Sequence, residues 1–316
     1  MKKVLLALLL TIWCMSLDAQ NDAQTEYNFL RLPVSAHAAA LGGDNITVID
    51  DDEALMFSNP ALLSSVSDKT INLNYMNYMS GVNTASASFN RVVRERASWA
   101  VSGQYLDYGN MKEVDENNVQ TGDFSAKDIS IAGYFSYLLT DRIAGGISAK
   151  FVTSYIGDYN SIGVCVDLGI NYYDPEREWS LSFVFKNLGG ELKAYDEDFG
   201  KMPFDMQLGI SKRFVGTPLR VHATIVDINH PKYKAINHLV LGADLLLGEN
   251  IWIGGGYNFR RANEMKITNA DGDDSSHGAG FTMGAGLTLS RFKVGATYGK
   301  YHVSSSSVVI SLGYTL

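Results

Sequence analysis

The sequence predicts an all-β fold: a 14-stranded antiparallel transmembrane β-barrel with a short helical N-terminal hatch, or plug. Three observations lead there. From Lys69 onward, apolar side chains alternate with small or polar ones, a period of two that a helix cannot use. Ile162, Val164, Val166, Leu168, Ile170 and Tyr172 share one face, against Gly163, Cys165, Asp167, Gly169 and Asn171 on the other. Phe281, Met283, Ala285, Leu287 and Leu289 oppose Thr282, Gly284, Gly286 and Thr288 in the same way, as do Phe204, Met206, Leu208 and Ile210 against Asp205, Gln207 and Gly209. The alternating runs are about ten residues long, the length a tilted strand needs to cross a bilayer. The connections between them, finally, are either tight or long and polar.

Composition narrows the class before any element is placed. The 316 residues are only 19% charged, Gly (30) and Tyr (17) are abundant, and Pro is scarce (6). The net charge of −8 with no basic tract excludes a nucleic-acid partner. Residues 1–19 read as a signal peptide: Lys2 and Lys3 before the apolar run from Val4 to Met15, with Ala19 at the cleavage site. Cys14 follows the bulky Trp13, which does not suit a lipidated cysteine, so Cys165 remains the one cysteine of the mature chain. No later apolar run of some 18 residues exists, so a membrane-spanning form must be a barrel.

Residues 20–66 form a polar leader followed by the hatch. Ser35 caps a short Ala-rich helical turn from Ala36 to Leu41, ended by Gly42 and Gly43, which tolerate φ > 0. Asp52 caps a second turn from Glu53 to Phe57. Asn59 and Pro60 open a third, with Pro60 where its missing N–H costs nothing. A compact, internally capped stretch of small residues suits a plug packed inside a container.

The container is residues 67–316. Its fourteen runs fall near 69–78, 82–92, 96–107, 125–138, 142–155, 161–173, 178–188, 204–214, 219–228, 236–247, 250–259, 279–289, 292–300 and 303–316. Tight turns are expected at Arg94-Glu95, Thr140-Asp141, Asp174-Pro175-Glu176, Gly216-Thr217, Gly248-Glu249 and Ser290-Arg291, all on the periplasmic side. The long loops, 108–124, 188–203, 229–235 and 260–278, then fall outside, the outer-membrane pattern. Lumen-side faces are rich in Gly, Ser, Ala and Thr, with few charges besides Lys150, Asp167, Lys186 and Asp244.

Nothing in the chain carries enzymatic chemistry, a cofactor or a metal. Ser290 and Lys293 match S-x-x-K but straddle a turn and lack companion motifs. Of the histidines, His222 and His238 fall on strands and His230 and His277 in outer loops, without metal-ligand spacing. Asn269, Asp271, Asp273 and Asp274 offer oxygen ligands of the kind calcium takes, but read as a solvated loop tip. Asp50, Asp51 and Asp52 read as a helix cap in a solvated turn, and Cys165 as an inert filler.

A resemblance joins these readings. YNFLRLPVSAHAAALGGDN (27–45) and DDDEALMFSNPALLSSVSDKTINLNYMNYM (50–79) resemble the start of the PorQ family, outer-membrane components of the Bacteroidetes type IX secretion system. QYLDYGNMKEVDE (104–116), FSAKDISIAGYFSYLLTDRIAGG (124–146), NLGGELKAYDE (187–197) and KMPFDMQLG (201–209) are similar too, so the resemblance spans nearly the whole mature chain. It implies a fatty-acid-transporter-like barrel with an N-terminal hatch. It further implies a non-enzymatic anchor that holds a PorZ-like surface protein, with PorU- and PorV-like components, while cargo is joined to lipopolysaccharide. The alternative is a channel for hydrophobic solutes, which should line its lumen with Phe, Leu and Ile near the hatch; the inward positions carry small and polar residues instead. On the anchor reading, the outer loops supply acidic contacts for a partner: Glu113, Asp115 and Glu116, then Asp196, Glu197 and Asp198, then Asp271, Asp273 and Asp274. Tyr105, Tyr108, Phe124, Tyr195, Phe199, Tyr257, Phe259 and Tyr301 would supply apolar anchors beside them.

Overall fold

The fold was described from a computed structural model covering residues 25–79, 81–117, 119–248, 250–268 and 274–316. The signal peptide expected at 1–19 lies outside the described residues, as does the start of the polar leader, 20–24.

Fourteen antiparallel strands close into a barrel. They are β1 (Thr70–Met79), β2 (Val82–Val93), β3 (Ala97–Val114), β4 (Gln120–Thr140), β5 (Ile143–Ile156), β6 (Tyr159–Asp174) and β7 (Trp179–Lys193). The second half comprises β8 (Asp205–Arg213), β9 (Leu219–Ile225), β10 (Leu239–Leu247), β11 (Ile251–Asn258), β14 (Phe281–Leu289), β15 (Phe292–Gly299) and β16 (Ser307–Thr315). Two short strands, β12 (Ile267–Thr268) and β13 (Asp274–Ser275), pair with each other in the β11–β14 loop. The barrel closes where β1 meets β16, with Leu73 opposite Leu312 and Tyr75 opposite Ile310. Closure leaves no unpaired edge, the condition for a sheet in a bilayer.

The alternation decides which face meets lipid. On β6 Val164, Leu168 and Ile170 point out and are exposed, while Cys165, Asp167 and Asn171 point in and are buried. The same band of Ile, Leu, Val and Phe runs round the other strands. In water it would be a large adhesive patch; lipid solvates it. Among the described residues no helix is long and apolar enough to cross a membrane.

Two expectations about connections need correction. Residues 108–124 are not a loop: β3 and β4 run on beyond bilayer height, pairing Asn110 with Ser125 and Val114 with Gln120. Polar composition there reflects solvent around the strands, and the ladder hydrogen bonds persist without an apolar face. Residues 188–193 likewise belong to β7. Nor is every tight turn at one end. Connections at 94–96, 141–142, 175–178, 214–218, 248–250 and 290–291 share the end that holds Thr70 and Thr315, called the turn end. Tight connections at 80–81 and 157–158 sit at the opposite, loop end, between the long ones. His238 also lies off the strands, closing a 3-10 turn, Ala235–His238, just before β10.

The barrel is filled by residues 27–66, most of them buried. Three short helical pieces organise this inner segment. Ser35 Oγ accepts from Ala38 N at the start of the helix Ala36–Ala40, and Gly42 follows at φ 101°. Asp52 accepts from Ala54 N before the 3-10 turn Glu53–Phe57, and Asn59 from Ala61 N before Pro60–Ser65. Helix Ala36–Ala40 lies on β11, β14, β15 and β16, and turn Pro60–Ser65 on β3 to β6 across the lumen. Leu41, Val48, Leu55 and Leu62 pack together within this segment, while Met56 and Leu63 pack on Ala100, Ala132 and Tyr134 of the wall and Phe29 on Leu106 and Val152.

Candidate functional site

The small-residue lumen face has a physical purpose once the inner segment is in place. A short helix buried in a barrel leaves backbone groups unsatisfied at its ends, and wall hydroxyls meet them. Ser311 Oγ accepts from Ala36 N at 3.0 Å, and Thr297 Oγ1 donates to Ala36 O at 2.6 Å. Thr282 Oγ1 donates to Ala40 O at 2.7 Å and accepts from Gly42 N at 3.0 Å. Across the lumen Ser136 Oγ donates to Ala61 O at 3.2 Å. Glycines let backbone meet backbone: a Cβ on Gly146 would lie 2.3 Å from Ala61 N, and one on Gly256 2.3 Å from Gly42 N.

Toward the turn end an ion cluster clamps this segment to the wall. Arg220 on β9 sends both Nη atoms to Asp50 at 3.1 Å and Nε and Nη2 to Asp244 at 3.0 and 2.6 Å. His37 places Nδ1 2.9 Å from Asp50 and Nε2 2.7 Å from Asp244. Each ring nitrogen faces a carboxylate oxygen, so both carry protons and the ring is an imidazolium. Burial alone would push the His37 pKa down; its carboxylate neighbours raise it. The ring stacks on Trp252 of β11 at 3.9 Å between centroids, and His222 Nε2 lies 3.2 Å from Asp244. A cavity of about 570 Å³ opens beside the cluster among Asp51, Trp252 and Lys293.

A second clamp lies at the loop end. Asp227, just after β9, takes Arg31 Nη1 of the inner segment at 3.1 Å and the guanidinium of Arg260. It borders a separate cavity of about 340 Å³ that also meets Asp44, Lys186, Asp205 and Arg261. The charges on the lumen face therefore exceed those expected. Asp128, Asp205 and Arg220 join Lys150, Asp167, Lys186 and Asp244 as buried groups of the strands.

Asp50 is the main correction to the reading of 50–52 as a solvated turn. Asp52 caps, and Asp51 reaches Lys293 at 2.6 Å and Ser67, but Asp50 is drawn inward by Arg220 and His37. Sequence reasoning missed this cluster because its members stand 13 to 207 residues apart. An arginine on a lumen face, Arg220, was the available signal.

The outer acidic groups are scattered around the rim. Glu113, Asp115 and Glu116 are exposed at the tip of the β3–β4 hairpin, where Asp115 Oδ1 also accepts from Asn117 N and Val119 N. Asp196, Glu197 and Asp198 are exposed in the β7–β8 loop. Asp271 and Asp273 lie outside the described residues, and Asp274 begins β13. Among the aromatics, Phe199 is exposed, whereas Tyr301 is buried under the Arg261 guanidinium at 3.9 Å and Tyr108 donates to Asp128 at 2.8 Å. Tyr301 is thus an internal brace rather than a surface anchor, while Tyr108 stays 38% exposed.

Glu53 offers a pH handle on the inner segment. Its carboxyl is fully buried beside Ser88, and burial pushes its pKa up from 4.5 to about 8. The folded state thus holds the proton more tightly than the unfolded chain, so stability present at pH 5 is lost as pH climbs toward 8. Thermal unfolding followed across that range should show a slope of up to about 1.4 kcal/mol per pH unit from this group. Glu53→Gln should remove that slope; a retained slope would place its source elsewhere.

Comparison with known proteins adds the fold's relatives. No family model and no curated protein matches the sequence. Several solved structures match the fold. The Pseudomonas putida toluene transporter TodX superposes with a TM-score of 0.58 at 13% identity, over 90% of this chain and 98% of that one. The CymD monoaromatic hydrocarbon channel gives 0.58 at 13% identity, over 90% and 97%. A Pseudomonas aeruginosa FadL homologue gives 0.52 at 10% identity, over 89% and 97%. The chain has the architecture of these outer-membrane barrels.

Proposed function

We propose that this barrel is a non-enzymatic platform in the outer membrane that holds a soluble protein at the cell surface. The β3–β4 hairpin carries the proposal. Its strands of 18 and 21 residues are about twice what a bilayer needs, and the excess stands clear of the lipid with Glu113, Asp115 and Glu116 exposed at its tip. Barrel folding does not need that extension, since exposed charges contribute little. An ordered, acidic projection does suit capture and orientation of a basic protein face. The resemblance to the PorQ family supports the same reading. It points to a PorZ-like partner, with PorU- and PorV-like components, in an assembly that joins cargo to lipopolysaccharide.

A second reading, a channel for hydrophobic solutes, has the fold comparisons on its side. Against it stands the loop-end cavity, where such a solute would enter. Arg31, Asp44, Lys186, Asp205, Asp227 and Arg261 line it, and an apolar molecule leaving lipid would strip water from those charges for no return.

Replacing residues 110–125 by a tight turn separates the two. The barrel should stay at its normal level in the outer membrane, while the protein that co-purifies with it falls at least tenfold and appears in the medium. Unchanged co-purification together with slower toluene uptake would favour the channel.

A further inference from the structure

The loop-end cavity has a pairing pattern that neither reading uses. Four cations and four carboxylates line it, but they are not paired one to one. Asp227 takes Arg31 and Arg260, and Glu264 also takes Arg260 at 2.7 Å. Asp205 accepts from Asp227 N and Gln207 Nε2, and Asp44 from Asn258 Nδ2. Asp227 and Glu264 are therefore ion-paired, whereas Asp205 and Asp44 are held by neutral N–H donors. Lys186 and Arg261 have no carboxylate at ion-pair distance among the described residues.

Lys186 is the more telling of the two. It is 8% exposed, on the inner face of β7, and borders the cavity with an ammonium that makes no hydrogen bond among the described residues. A buried ammonium with its donors unmet is costly unless something fills the space before it. Arg261 borders the same cavity from the helix Phe259–Glu264, held over the Tyr301 ring and bonded through Nη1 to Gly42 O at 3.4 Å. Its position is fixed by those contacts, with no carboxylate oxygen at ion-pair distance among the described residues.

We propose that this cavity binds a compact hydrophilic anion, a carboxylate or phosphate, whose charge is met by Lys186 and Arg261. The volume of about 340 Å³ admits a molecule the size of a sugar acid. The remaining lining is mixed, with Leu32, Val226 and Met265 beside Asn187 and Asn258, whose amides already bond to Pro203 O and Asp44. A ligand there would touch the inner segment through Asp44 and the outer helix through Arg261, so its occupancy would brace the two together.

Binding is measured on the purified full barrel in detergent by titration calorimetry at low ionic strength, with gluconate and inorganic phosphate as probes and dodecanoate as an amphiphilic competitor. At least one small anion should bind saturably, and Lys186→Met and Arg261→Gln should each weaken it at least tenfold. Lys232→Met, in an outer loop away from the cavity, should leave it unchanged. Without anion, Lys186→Met should unfold at the same temperature as the native protein or higher, since no carboxylate loses its partner; a purely structural lysine would lower it. The proposal fails if neither gluconate nor phosphate binds, if binding survives both substitutions, or if dodecanoate alone occupies the site.

Discussion

Replacing Arg220 by Met is expected to free the turn-end part of the inner segment while the barrel stays folded. Arg220 is the cation that lets Asp50 and Asp244 lie together inside the lumen. Its removal leaves the buried Asp244 and the partly buried Asp50 sharing only His37 and His222. Breaking one partner out of a buried ion pair costs about 3–5 kcal/mol, because the remaining charge is desolvated without compensation. The least costly escape is for Asp50 to swing toward the cavity beside it, taking its neighbours along. The segment as a whole should remain, since Leu41, Leu55, Leu62 and Leu63 stay buried. Proteolysis of the purified protein should therefore gain a cut near residues 44–52 that the native protein lacks. The heat-modifiable folded band should persist, because no strand ladder is touched. Asp50→Asn in the same chain should restore part of the protection by removing one stranded charge. Full protection in Arg220→Met alone would show that packing, not the cluster, holds this end.

Gly146→Val combined with Gly256→Val should displace the inner segment from both walls. A Cβ at Gly146 would lie 2.3 Å from Ala61 N and Pro60 C, and at Gly256 2.3 Å from Gly42 N and Leu41 C. The atoms in the way are backbone, so no side-chain rotation relieves the clash. Asn59 holds the first by its cap, and Thr282 holds the second through Gly42 N. Overpacking of this kind costs about 1–3 kcal/mol or more per site, and the two contacts are far enough apart to add. Valine favours strands, so the barrel itself should insert normally. In planar bilayers the double variant should conduct at least tenfold more than the native protein. Gly103→Val with Gly133→Val is the control, since nothing lies within 4 Å of a Cβ at either. Equal conductance in all three proteins would mean that the inner segment is not what closes the pore.

The sequence by itself determined the barrel. Period-two alternation places Val164, Leu168 and Ile170 on lipid and Cys165 and Asp167 inside, and such a pattern is local: each residue's side follows from its neighbours. The strand number, the antiparallel order and the three capped turns at Ser35, Asp52 and Asn59 were legible for the same reason, because a cap and its N–H lie within three residues. The extent of the β3–β4 hairpin was not, since polar residues outside the bilayer lose the alternation that marks a strand but keep its hydrogen bonds. What only the tertiary structure decided is which distant charges meet. Asp50 and Arg220 stand 170 residues apart, and His37 and Asp244 207. Asp50 looks like its neighbours Asp51 and Asp52 in the chain, yet it alone is clamped by Arg220. The unpaired position of Lys186 is decided the same way, by the distance from β7 to carboxylates already engaged elsewhere. Coulombic and hydrogen-bonding partners act across the lumen, at separations of a few ångströms that no spacing along the chain encodes.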